Sequence, residues 1–308
     1  AGPGQRMEGH RIQDTIIRRC NTLNLDPGFG AMGMKYGYTR NLVADGVISY
    51  DNNGIGFWLD WNNENFLVQN CTFFGNHAGM AYANFTDNQL RNQKWAGVGF
   101  ASEGNPSGRF LGNTCYSNLW SGVSLWESGY GGGILVEGNL FVDNSIHVEF
   151  RAMDRRSDED PMVGLSDVTL RDNRFLDWRD VCWYTGGLVD TISDLPTPGD
   201  AGFVIDRNRY FLASPTDRDF FGKWLNILTR SFGEMQSKLG VEAAGSVEPL
   251  TFDATRIPVF ETTLEDVGTS RMTQVPSALA EETTIDRAIL GLAEGDTATI
   301  PVFGRKAI

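Results

Sequence analysis

Asp60, Glu103, Glu149 and Arg151 are the residues of this 308-residue chain whose types and placement suit acid–base chemistry. If they stand on stacked strands about 4.8 Å apart, with Asp60 and Glu103 two coils from each other, their carboxylates lie about 9–10 Å apart. An inverting glycoside hydrolysis wants its acid and base roughly 6.5–9.5 Å apart, so the spacing permits that reaction. A lyase instead needs a base for the proton α to a uronate carboxylate and a cation to acidify it. Arg151 or Lys94 would be that base or charge stabiliser, with Asp60 and Glu103 as tentative Ca2+ ligands and Glu149 beside them. Trp58 and Trp126, roughly 14 Å apart on the same count, offer flat faces for sugar rings, and His147 stands next to Glu149. The plainer alternative is a set of solvated strand residues with a local Glu–Arg pair, and two indoles packed under a long loop such as residues 152–166.

These side chains fall on a repeat. Leu67–Asn76 (LVQNCTFFGN), followed by His77–Tyr82, has a short alternating strand, an Asn-bounded corner, a Gly and a second alternating strand. Val43–Phe57, Phe110–Leu125 and Leu135–Val148 align with it, Val168–Tyr184 and Phe203–Phe211 more loosely, and Ile16–Asn24 is one coil earlier. The second strand opens at Gly54, Gly79, Gly97, Gly122 and Ser145, at intervals of about 18–25 residues. Such a period, with no helical pattern inside it, means one solenoid turn per repeat. Asn76, Asn92, Asn118 and Asn144 recur at one corner, where Asn tolerates a left-handed backbone and bonds its copy in the next coil. Alternation in the second strand points Ile55, Phe57, Leu59, Val98, Phe100, Val123, Leu125, Val148 and Phe150 inward. Three rows then face outward: Gly56, Ala81, Gly99, Ser124 and His147; Trp58, Ala83, Ala101, Trp126 and Glu149; Asp60, Phe85, Glu103, Ser128 and Arg151. Glu127 breaks this parity, which fits a strand ending at Trp126.

The N-x-F-x-x-N and Gly-opened strands resemble the pectate-lyase-like superfamily of right-handed parallel β-helices, in the form common in secreted bacterial proteins, over about residues 12–212. The resemblance implies an all-β solenoid and, as activities, polysaccharide lyases, glycoside hydrolases and uronan epimerases, beside non-catalytic adhesins and spikes. The fingerprints of the better-known branches are missing. The NTD, DD, GHG and RIK set is absent, although Gly9–Ile12 echoes two of its members; DPHE and RxPxxR do not occur either.

Three parts are expected: coils over 1–212, a C-terminal cap over 213–252 and an extended tail over 253–308. Ser231–Glu234 reads as a capping box opening a short helix that Gly240 closes. No matching cap is visible before residue 12, so the first coil is expected to meet missing coils or a partner. Homo-oligomerisation or a larger assembly would use that end or the tail.

A net charge of −13 speaks against nucleic acid, and no apolar run is long enough to span a membrane. Cys20, Cys71, Cys115 and Cys182 lie far apart without a CxxC pair, so they are expected to be thiols filling strand positions. A secreted or cell-surface location, extracellular or periplasmic, is expected, with no leader visible. Two functions stay open: a lyase or hydrolase acting on a polysaccharide at the outward strands of 55–151, or a non-catalytic surface, spike or scaffold subunit that binds glycan or assembles.

Overall fold

The structure, a computed structural model, describes residues 6–23, 25, 30–77, 97–152, 164–176, 181–187, 198–212, 221–224, 227–249, 259–262 and 270–273. Three parallel sheets stack coil on coil, the arrangement of a parallel β-helix. Sheet A holds Arg11–Gln13, Val43–Asp45, Phe66–Gln69, Ser107–Leu111, Gly133–Glu137, Val168–Arg171 and Val204–Asp206. Sheet B follows in each turn, from Ile16–Arg18 through Ile48–Tyr50, Thr72–Phe74 and Thr114–Tyr116 to Arg209–Leu212 and Ser246–Pro249. Sheet C closes the turn with Met34–Tyr36, Phe57–Asp60, Phe100–Glu103, Ser121–Trp126, Ile146–Ala152, Val181–Gly187 and Gly222–Trp224, then an antiparallel Ile227–Thr229.

Strand alternation builds the interior. In sheet A the register carries Ile12, Ala44, Val68, Phe110, Val136, Leu170 and Ile205 in one buried column. In sheet B, Phe73, Cys115, Phe141, Phe175 and Tyr210 form another. Neighbouring rings meet across the coils: Phe100 and Phe110 have centroids 4.9 Å apart and Phe141 and Phe175 5.2 Å. Continuous apolar burial of this kind is the main favourable term, and each coil obtains it only from its neighbours. The four cysteines are free thiols; Cys71, Cys115 and Cys182 are buried, and burial pushes the Cys71 thiol up to about 12.

Each corner is tied by amides that bond from coil to coil. Asn52 Nδ2 donates to Asn76 Oδ1 at 2.9 Å, Asn76 to Asn118 at 3.0 Å, and Asn118 to Asn144 at 2.9 Å. A second ladder runs from Asn113 through Asn139 and Asn173 to Asn208, whose Nδ2 donates to Glu242 Oε1 at 2.6 Å. A third links Thr39, Asn63 and Asn105. Asn92, expected in the first ladder, lies outside the described residues.

The coil count differs from the one drawn from sequence. Phe57–Asp60 pairs directly with Phe100–Glu103, so no strand of sheet C stands between them; the repeat read at Gly79 lies outside the described residues. The coils also continue past Leu212. Gly222–Trp224 extends sheet C and Ser246–Pro249 extends sheet B, with helix α1 (Phe232–Leu239) between them. Ser231 caps α1 by accepting from the Glu234 amide at 3.2 Å, and Gly240 closes it in the left-handed conformation. The Glu234 carboxylate returns to the Arg230 amide, one residue before the cap. By contacts, Ala1–Glu248 is one compact unit and Pro249–Ile308 a second, in which Val259–Thr262 pairs antiparallel with Ser270–Thr273.

Candidate functional site

The outer side of sheet C carries most of the chemically able residues, and their register is one coil tighter than expected. Asp60 and Glu103 are direct cross-strand partners, and Trp126 and Arg151 continue that row. The adjoining row reads Lys35, Trp58, Ala101, Ser124 and Glu149. Trp58 and Trp126 therefore do not stand apart on a shallow floor; their rings meet edge to face at 6.2 Å.

This face is also not open. Trp58 is 2 % exposed, Glu103 1 %, Arg151 5 %, and Trp126 and Glu149 0 %. Met32, Ile55, Trp58, Val98, Ala101 and Trp126 form a second apolar cluster with Trp120 packed against it. Ile55 and Val98, expected in the interior, belong to this outer cluster because the chain turns at Gly56 and Gly99. A side chain at either glycine would strike the Asn ladder or the next strand.

Within the cluster Glu149 gathers the bonds of its neighbours. Glu149 Oε2 accepts from Ser124 Oγ at 2.6 Å and from Trp126 Nε1 at 3.3 Å, and Glu149 Oε1 accepts from Arg151 Nε at 2.5 Å. Ser121 Oγ lies 2.6 Å from Ser124 Oγ. The Arg151 guanidinium sits 5.8 Å from the Trp120 ring centroid and 6.0 Å from that of Trp126. A charge removed from water is tolerable when paired and hydrogen-bonded in this way. Ser121, Ser124 and Trp120 were not singled out from sequence; small hydroxyls on an alternating strand give no signal until their partner is placed.

The remaining expected residues go elsewhere. Asp60 is half-buried and held by Lys35 Nζ at 2.7 Å, with the ammonium 3.8 Å from the Trp58 ring centroid. His147 points inward, which corrects its outward assignment. It occupies the column filled in earlier coils by Gly56, Gly99 and Gly122, between the rings of Phe141 and Phe175. Its Nδ1 is 3.2 Å from Asn144 Nδ2, a donor, so Nδ1 acts as acceptor at the end of the first ladder. The strand ends at Trp126, and Glu127 turns into a left-handed conformation with its amide on the Arg151 carbonyl. Lys94 and residues 153–163 of the 152–166 loop lie outside the described residues.

Sheet A differs from sheet C in keeping its outer side accessible. One outward row reads Arg11, Val43, Leu67, Arg109, Leu135, Thr169 and Val204, and the next Gln13, Asp45, Gln69, Leu111, Glu137, Arg171 and Asp206, all exposed or half-exposed.

Stacked parallel strands, laddered corners and an aromatic interior define a parallel β-helix repeat protein. Residues 7–157, just under half the chain, match the family described as NosD, periplasmic copper-binding protein. That match supports a β-helix repeat protein without singling out the pectate-lyase-like branch, and its periplasmic description agrees with the secreted or periplasmic location expected from sequence. No curated protein and no solved structure match the chain. Among the described residues no helix is long and apolar enough to cross a membrane.

The family description raises the question of copper, and the described residues do not fit it. None of their His, Cys, Asp and Glu side chains gather in threes around a common point. Cys71, Cys115 and Cys182 are buried with their thiols pushed up by desolvation, whereas copper binds the thiolate. The tentative Ca2+ pair is not supported either, because the Lys35 ammonium already neutralises Asp60 and Glu103 is enclosed.

Proposed function

We propose that this chain is a non-catalytic parallel β-helix of the periplasm or the extracellular space that binds a polysaccharide on its accessible outer surface. The observation that carries this reading is the state of the acid–base candidates. Glu149 and Arg151 are enclosed and bonded to each other, to Ser124 and to Trp126, which leaves a substrate no approach to them. A catalytic carboxylate must come within hydrogen-bond reach of the group it serves. The missing lyase, hydrolase and epimerase fingerprints point the same way. The β-helix resemblance and the flat, half-exposed rows of sheet A support polysaccharide as the ligand class.

The test is a panel of uronate-containing and neutral polysaccharides, run both in affinity gels and in assays for new reducing ends and unsaturated uronate products. Retarded migration without products is expected. Products that disappear in Glu103→Gln or Glu149→Gln would overturn the non-catalytic reading, and absence of retardation by every polymer would overturn the glycan reading.

A further inference from the structure

We infer that the outer face of sheet A carries an anion-reading saccharide subsite centred on Arg109. This rests on the polysaccharide-binding reading above and names the class of sugar: one bearing a carboxylate. The site is an open cleft of about 410 Å³ that crosses three successive strands of sheet A, Ser107–Leu111, Gly133–Glu137 and Val168–Arg171. Asn65 and Asp167 border it, Ser107, Gly133, Leu135 and Thr169 make its floor, and Arg109 stands in it.

The floor is shaped by what cannot be there. Gly133 is the register partner of Ser107 and has φ 84, so a side chain would be strained. A Cβ at that position would also come within 2.9 Å of the Asp167 carbonyl. The absent side chain keeps the cleft continuous from one coil to the next. The surfaces on offer alternate in character. Leu67 and Leu135 flank Arg109 in its own row, giving aliphatic patches on either side of a cation, while Ser107 and Thr169 supply hydroxyls. A sugar ring presents the same combination, C–H faces with hydroxyl edges, and a uronate adds one carboxylate.

Arg109 is the uncommitted charge of the cleft. Arg171 is engaged by Glu137, with Nη2 2.7 Å from its Oε2, and Asp167 accepts from Ser166 Oγ at 2.8 Å. Among the described residues no hydrogen bond or ion pair engages Arg109, which is exposed among half-exposed aliphatic neighbours. An unpaired guanidinium in an open cleft is ready to take a carboxylate through two parallel N–H donors. The chain as a whole is acidic at −13, so a long anionic polymer is attracted here by local contacts against the overall field.

The experiment titrates the full chain with tetragalacturonate, its fully methyl-esterified form and inorganic phosphate. The acid is expected to bind more tightly than the ester, and its affinity to fall as salt rises. Arg109→Ala should weaken the acid by roughly tenfold or more, since a charge-assisted contact is lost, and leave the ester unchanged. Arg109→Lys should restore part of the loss. Arg11→Ala, an exposed arginine of the same row at the far end of the sheet, should change nothing. Among the described residues Arg109 makes no hydrogen bond or ion pair, so a folding defect in its variants is not expected, and circular dichroism checks this. Equal binding of acid and ester, or an unaltered Arg109→Ala, in a chain that does bind polysaccharide would overturn the subsite alone. Phosphate binding as tight as the tetramer would overturn its saccharide character. Failure of every polysaccharide to bind would instead overturn the reading on which the subsite rests.

Discussion

At the scale of single residues, the decisive difference is between a carboxylate that is free to act and one that is used up. Glu149 accepts bonds from a hydroxyl, an indole N–H and a guanidinium inside an apolar cluster, and all three partners belong to the same sheet. Arg151→Met should therefore cost on the order of 3–5 kcal/mol, because it leaves the Glu149 carboxylate buried without its cation. Changing both, Arg151→Met with Glu149→Leu, should cost clearly less than the sum of the single changes. Denaturant midpoints of the four proteins in such a cycle measure the coupling. A catalytic pair behaves in the opposite sense, since active-site groups are commonly held at some expense to stability. A double variant as damaging as the sum would show that Glu149 and Arg151 do not act as a unit.

At the scale of elements, the asparagine ladders do for the corners what the ring stacks do for the interior. Asn118 donates to the Phe73 carbonyl at 3.0 Å and to Asn144 Oδ1 at 2.9 Å, and it accepts from Asn76. Asn118→Ala leaves buried backbone and amide groups of two neighbouring coils unpaired, so a loss of about 2 kcal/mol in chemical denaturation is expected. An equal loss from an exposed control such as Gln13→Ala would show that the ladder has no special weight. This corner was legible in the sequence because Asn at a fixed offset after a short alternating strand has a local cause. The strands themselves were legible for the same reason, and Phe57, Phe100, Val123 and Val148 do point inward. The row assignments were not. The segment opening Gly79-Met-Ala-Tyr, outside the described residues, has the alternation of a strand, and alternation alone does not fix how many coils separate two strands. A coil there sets Asp60 two turns from Glu103, whereas the two pair directly. The expected row of Trp58 and Trp126 fails for a separate reason, a shift of two residues one coil later, where Ala101 pairs with Ser124 and Glu103 with Trp126. His147 does share a column with Gly56 and Gly99, as alternation has it, but that column faces inward, and a Gly gives no sign of which way its position faces. The enclosure of sheet C was beyond reach of sequence, because alternation separates the two faces of a sheet without saying whether the outer one meets water.

At the scale of the whole molecule, the second ladder connects the amides of successive coils to the segment that follows α1, and it ends on an acid. Each asparagine donates to the next, so the last one, Asn208, needs an acceptor, and Glu242 supplies it while also accepting from Tyr210 Oη at 2.7 Å. Glu242 is held after α1 with φ 59, and burial raises its carboxyl to about 6, against the lowering effect of the bonds from Tyr210 and Asn208. Cys182 and Asp206 are the other titratable groups whose fields reach this corner. The folded chain thus binds the Glu242 proton more strongly than the unfolded chain, whose glutamate titrates near the usual 4.5. The resulting stability is fully present below about pH 4.5 and is lost as pH rises through about 6. The difference amounts to on the order of 2 kcal/mol. A solenoid unfolds from whichever end is weakest, so the effect belongs to the coils from Asn173 onward. Glu242→Gln keeps a carbonyl acceptor for Asn208 and removes the titration. Thermal unfolding of both proteins between pH 4.5 and 7 should show the wild-type chain losing its excess stability across that interval, while Glu242→Gln loses less. Parallel pH profiles for the two would mean that the ladder ends on an acid for its geometry alone.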